Sequence, residues 1–206
     1  MAALSSKTKV FILVLGLFLI ALLLIWLSPS EKTLGSLVKL IYFHGAIVYA
    51  AFFSFMVAGI LGAIYIVAAK PKIYLWLRAF QRTAFLFWVV YFLSSMVLTY
   101  LAWGGIGWME PRFQLAILIL VLVLVVFLIT LWFDWPKVIA SLNLALFVTV
   151  FYMTSRVQRI FHPSNPIGKS SSFAMKLYAI MILAIFVFIA FGTAYLMLFP
   201  QDESVG

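Results

Sequence analysis

The 206-residue chain has no cysteine, only five acidic residues and only two histidines. Without cysteine it can form no disulfide, no thiolate nucleophile and no iron–sulfur centre ligated by its own side chains. Charged residues make up 9% of the chain, whereas a soluble domain carries about a quarter. With a hydrophobic content of 67% and a mean hydropathy of +1.23, that scarcity excludes a soluble globular fold, a disordered chain and a fibrous one. What is left is a polytopic membrane protein. A spanning helix needs ~20 apolar residues, so the chain holds at most about seven spans and no large soluble domain beside them.

Six apolar runs are present, at residues 9–27, 37–69, 83–102, 113–133, 137–155 and 173–199. None alternates with a period of two, which favours helices over a barrel. The expected fold is all-α, a single domain over 1–206 with six transmembrane helices. The first run follows Lys7 and Lys9 as a signal peptide would, but it is long for that role. Ser28-Pro29-Ser30 is also a poor cleavage site, so the run reads as a retained helix.

Six consecutive spans fix which segments share a side. Loops 28–36, 103–112 and 156–172 fall on one face, termed the odd-loop face; both termini and the segments 70–82 and 134–136 fall on the other. The net charge of +9 lies between the apolar runs, where it serves topology and lipid headgroups rather than nucleic acid. The two faces nevertheless tie. Lys7, Lys9, Lys70, Lys72, Arg78, Arg82 and Lys137 stand on one, and Lys32, Lys39, Arg112, Arg156, Arg159, Lys169 and Lys176 on the other. The translocated side normally has fewer, so one face holds cations for a reason besides topology. Segment 70–82 interleaves basic and aromatic residues and is expected to be an interfacial anchoring loop.

The two histidines, His44 and His162, both belong to the odd-loop face: His44 a few residues inside the second helix, His162 in the fifth loop. They cannot complete a structural zinc site without cysteine and with so few acids. Two imidazoles on opposite sides of a porphyrin do satisfy haem iron, with apolar helix walls for the ring and Arg112, Arg156, Arg159 or Lys169 for its propionates. The plainer alternative is an interfacial hydrogen-bonded His44 and a solvated His162. Trp103 and Trp108 likewise fit either a membrane-interface belt or a ligand edge, because Gly104, Gly105 and Gly107 between them let backbone approach a flat group. Glu110-Pro111-Arg112 opens the next helix, with the acid near its positive end. Within the spans, Ser94, Ser95, Asn143 and Thr149 read as helix-packing contacts. No ionisable residue is expected in the central turns, which argues against a transporter.

The stretch Lys39-Leu-Ile-Tyr-Phe-His44 resembles the "IIYLHVP" helix of the cytochrome c maturation protein C family of haem-handling membrane proteins. The loop Trp103-Gly-Gly-Ile-Gly-Trp-Met-Glu-Pro-Arg112 is similar to a shortened form of that family's tryptophan-rich loop, with Met109 where Trp is usual. His162 matches the second family histidine, followed by Pro163-Ser164-Asn165 instead of a Gly-Ser pair. The resemblance implies His44 and His162 as axial ligands of a transient, non-covalent b-type haem. It implies Trp103, Gly104, Trp108, Glu110 and Arg112 as a haem-edge loop. Besides membrane lipid, the implied partners are an ABC-type ATPase and permease, a small helper subunit and a membrane-anchored haem chaperone. The implied location is the inner or plasma membrane, with odd loops extracytoplasmic and both termini cytoplasmic. The implied role is haem delivery without a catalytic residue; the alternatives are a b-type electron-transfer subunit and a ligand-free assembly subunit.

Overall fold

A computed structural model describes residues 5–157 and 166–198. Six helices follow one another: α1 (Ser6–Leu27), α2 (Val38–Ala68), α3 (Pro71–Trp103), α4 (Pro111–Trp132), α5 (Pro136–Arg156) and α6 (Phe173–Leu196). All six are long and apolar enough to cross a bilayer, and the chain is a multi-pass membrane protein. Local sequence explains where they start. Pro71, Pro111 and Pro136 occupy the first helical position of α3, α4 and α5, where a missing N–H costs nothing. Ser5 and Ser172 cap α1 and α6 by accepting from the N–H groups of Thr8 and Met175.

Five of the six helices begin and end within three residues of the sequence reading. The exception is α3. The segment 70–82, expected as a loop, is helical from Pro71 onward, so the second connection shrinks to Ala69 and Lys70. Arg78 and Arg82 therefore lie inside a transmembrane helix. They lie in its first half, outside the central turns, and their partners are definable. Arg78 Nη2 donates to the Thr130 carbonyl in the last turn of α4 at 2.9 Å, and its Nη1 to the Tyr74 hydroxyl at 3.2 Å. Arg82 Nη1 donates to the Met197 carbonyl at the end of α6 at 3.1 Å. Carbonyls at a helix C-terminus have no intrahelical donor and carry the negative end of the macrodipole. They accept these cations in place of carboxylates.

The same device recurs at both ends of the bundle. Lys7 Nζ donates to the Leu198 carbonyl at 2.6 Å, beside Arg82. On the opposite end Lys39 Nζ donates to the Trp26 carbonyl at 2.5 Å, with its ammonium 5.1 Å from the Trp26 ring centroid. These bonds also tie the ends together as six alternating spans require.

At the centre is α2, packed on α3, α5 and α6, while α1 lies on the outside against α6. Its contact with α5 is made by small residues: a Cβ added to Gly62 would meet the Ala140 carbonyl oxygen at 2.6 Å, so the backbones approach as only glycine allows. Trp88 is buried between α2, α3 and α4 and donates its indole N–H to the Ala116 carbonyl at 3.1 Å.

Replacing Arg78 by Leu removes a charge-assisted bond and leaves the Thr130 carbonyl without this donor. The expected loss of stability is about 1.5–3 kcal/mol, read by thermal unfolding in detergent. Replacing the exposed Lys72 by Leu is expected to leave the transition in place; equal transitions for both variants contradict the capping role of Arg78.

Candidate functional site

His44 is the seventh residue of α2 and lies ~10 Å along that helix from its odd-loop end. It is half-buried. Because α3 runs antiparallel and ends at the same face, the turn containing Tyr91, Ser94 and Ser95 lies at matching depth. The imidazole Nδ1 is 3.0 Å from Ser94 Oγ. The ring centroid lies 4.8 Å from that of Tyr91, with 40° between the planes. Tyr91 in turn rests on Trp88, 4.8 Å between centroids, so the histidine is backed by an aromatic column anchored in the core.

Ser94 was expected to be a packing residue; the structure places it on the histidine. Neither Ser94 nor Tyr91 stands out by motif. The signal that finds them is depth: nine residues before the end of α3 faces six residues after the start of α2.

The third loop sits at the same end of the bundle. Trp103 is the last residue of α3, and Gly104 caps the helix in the left-handed region at φ +73°, donating its N–H to the Tyr100 carbonyl. That conformation is why glycine stands there. A Cβ at Gly107 would fall 2.8 Å from Trp103 Cζ3, so the flat group that Gly107 admits in this structure is the indole of Trp103. Trp108 is exposed, its ring set edge-on to Phe113 at 5.5 Å, and its carbonyl accepts from Gln114 Nε2. Glu110 is buried at the N-cap of α4, where a carboxylate meets the positive end of the helix. Arg112, two residues on, is exposed.

Arg156 is exposed in the last turn of α5, its guanidinium 5.2 Å from the Tyr152 ring centroid. His162 and Arg159 lie outside the described residues. The following part of loop five, 166–172, is held against the bundle by the buried Ile167 and by Ser170, whose hydroxyl contacts the Met175 sulfur at 3.3 Å. A groove of about 420 Å³ opens between α2 and α5, lined by Tyr49, Phe52, Met56, Phe151, Thr154 and Ser155. It is almost wholly apolar and does not include His44, so groove and histidine occupy different faces of α2. Among the described residues no group of three His, Cys, Asp or Glu comes together to hold a metal ion.

Glu31 in the first loop accepts from the N–H groups of Leu34 at 2.8 Å and Thr33 at 2.7 Å. These bonds, that to Leu34 foremost, hold its carboxyl below the ordinary 4.5. No protein-family model matches the chain, and no curated protein matches it.

A depressed carboxyl stabilises the folded loop at every pH above the unfolded value and loses that effect as pH falls through the folded value. The Thr33 and Leu34 amides are therefore expected to be equally protected from hydrogen exchange at pH 7 and pH 5. Protection should fall only upon acidification below the ordinary carboxylate range. A loss already complete at pH 5 contradicts the turn.

Proposed function

We propose that this membrane protein holds haem at its odd-loop end and passes it to a haem chaperone during c-type cytochrome assembly. The observation that carries the reading is the setting of His44. A half-buried imidazole lies just inside the end of the central helix, backed by Tyr91, at the end of the bundle that also carries the loop with Trp103, Trp108 and Arg112. The residue types suit this cargo: imidazole for iron, aromatic and apolar walls for the ring, guanidinium for a propionate.

In this reading His44 and His162 take the two axial positions. Trp103, Gly104, Trp108, Glu110 and Arg112 cover the exposed edge, and Arg156 and Arg159 serve the propionates. Haem is cargo, and the chain's own task is to hold, orient and release it. The resemblance of the His44 helix and the tryptophan loop to the cytochrome c maturation protein C family supports the rest. It supplies the ABC-type ATPase and permease, helper subunit and chaperone as partners, and an extracytoplasmic odd-loop face in the inner or plasma membrane. An electron carrier across the bilayer needs haem near both faces. With two histidines, both assigned to one face, that reading lacks ligands at the other.

Purified protein is expected to show a Soret band that His44→Ala largely abolishes and that added imidazole partly restores by filling the vacated position. A colourless wild type favours a ligand-free assembly subunit. Wild-type haem content in both His44→Ala and His162→Ala overturns the ligand assignment.

Orientation has its own test, helped by the natural absence of cysteine. Single cysteines at the exposed Ser30 and Ser171 are expected to react with an impermeant thiol reagent added to intact cells, and one at the exposed Lys70 to resist it. The opposite pattern reverses the assignment of faces.

A further inference from the structure

We infer that Ser94 is a positioning residue for His44: it accepts the Nδ1 proton and so fixes the neutral imidazole with its lone pair on Nε2. The inference concerns the tautomer of an imidazole and rests on the proposed haem reading only for the identity of the ligand that the lone pair serves.

Proton count fixes the direction of both contacts. Ser94 Oγ stands 3.0 Å from His44 Nδ1 and 2.8 Å from the carbonyl oxygen of Tyr91, one turn back in α3. A serine hydroxyl has one proton and two lone pairs. The Tyr91 carbonyl, which also takes the Ser95 hydroxyl at 3.0 Å, can only accept, so the 2.8 Å contact holds the Ser94 proton in the back-bond that helical serines commonly make. Oγ then faces Nδ1 with a lone pair. Two lone pairs opposed at 3.0 Å would repel, so Nδ1 must carry the hydrogen, and in a neutral imidazole the unprotonated nitrogen is then Nε2.

Tyr91 enters twice, since its carbonyl orients Ser94 while its ring, 4.8 Å from the imidazole, limits rotation of His44. One helical turn of α3 therefore sets both the protonation and the orientation of a side chain on α2. An imidazole that binds a metal through one nitrogen generally donates from the other to such an acceptor. Here the acceptor is built into a neighbouring helix rather than recruited from solvent.

The test uses the full-length haem-free protein in lipid nanodiscs, labelled with ¹⁵N-histidine, at a pH where imidazole is neutral. Only two histidines contribute, and His44→Ala identifies which signals are its own. Wild type is expected to show His44 as the Nδ1–H tautomer. Ser94→Ala is expected to shift it toward the Nε2–H form that prevails in water, and Ser94→Thr, which keeps the hydroxyl, to restore the wild-type pattern. An Nε2–H tautomer in wild type, or spectra unchanged by Ser94→Ala, overturns the inference.

Haem titration of the same proteins adds a second readout. Ser94→Ala is expected to weaken haem about 10- to 100-fold, with recovery in Ser94→Thr. Undiminished affinity alongside a shifted tautomer overturns the positioning role. Failure of wild type to take up haem defeats the proposed function, while the imidazole spectra still decide the role of Ser94.

Discussion

The last carbonyls of a helix that ends near hydrocarbon have neither an intrahelical donor nor ready water, and this chain answers that constraint with cations. Arg78, Arg82 and Lys7 serve the ends of α4 and α6 on one face, and Lys39 serves the end of α1 on the other. Three of these bonds join residues distant in sequence and the fourth joins α2 to the preceding α1, so the helix ends are satisfied and the helices are held in register by the same contacts. The close approach of α2 to α5 at Gly62 then fixes the middle of the bundle.

That assignment bears on the even division of basic residues between the faces. Lys39 is on the odd-loop face because α1 ends there, a local structural need that a count of charges cannot separate from ligand pairing. Arg156 lies over the Tyr152 ring, within its own helix. Arg112 is different, since it sits at the positive end of α4, where a cation gains nothing from the macrodipole.

Most of the architecture was legible because bilayer thickness imposes a length on every apolar run. The helix start at Pro111 followed from proline's place in a first turn, whereas Pro136 was read as the end of a loop and opens α5. Segment 70–82 misled because alternating basic and aromatic residues look interfacial; its arginines are helical because carbonyls of α4 and α6 stand ready to accept from them, a tertiary fact. The site was legible in part. His44 was conspicuous as one of two histidines, whereas Ser94 acquires meaning only when α3 is laid antiparallel against α2. The glycines of the third loop were read as room for a flat ligand, and at Gly107 the flat group is the chain's own Trp103.

The proposed function has haem held between two imidazoles at one end of this bundle. Electron paramagnetic resonance of the purified, oxidised protein tests it most directly, because axial ligands set the spin state of ferric haem. Two histidine ligands are expected to give a low-spin spectrum of bis-imidazole type that turns high-spin in His44→Ala. A high-spin spectrum in wild type, or a low-spin one indifferent to loss of His44, would contradict it.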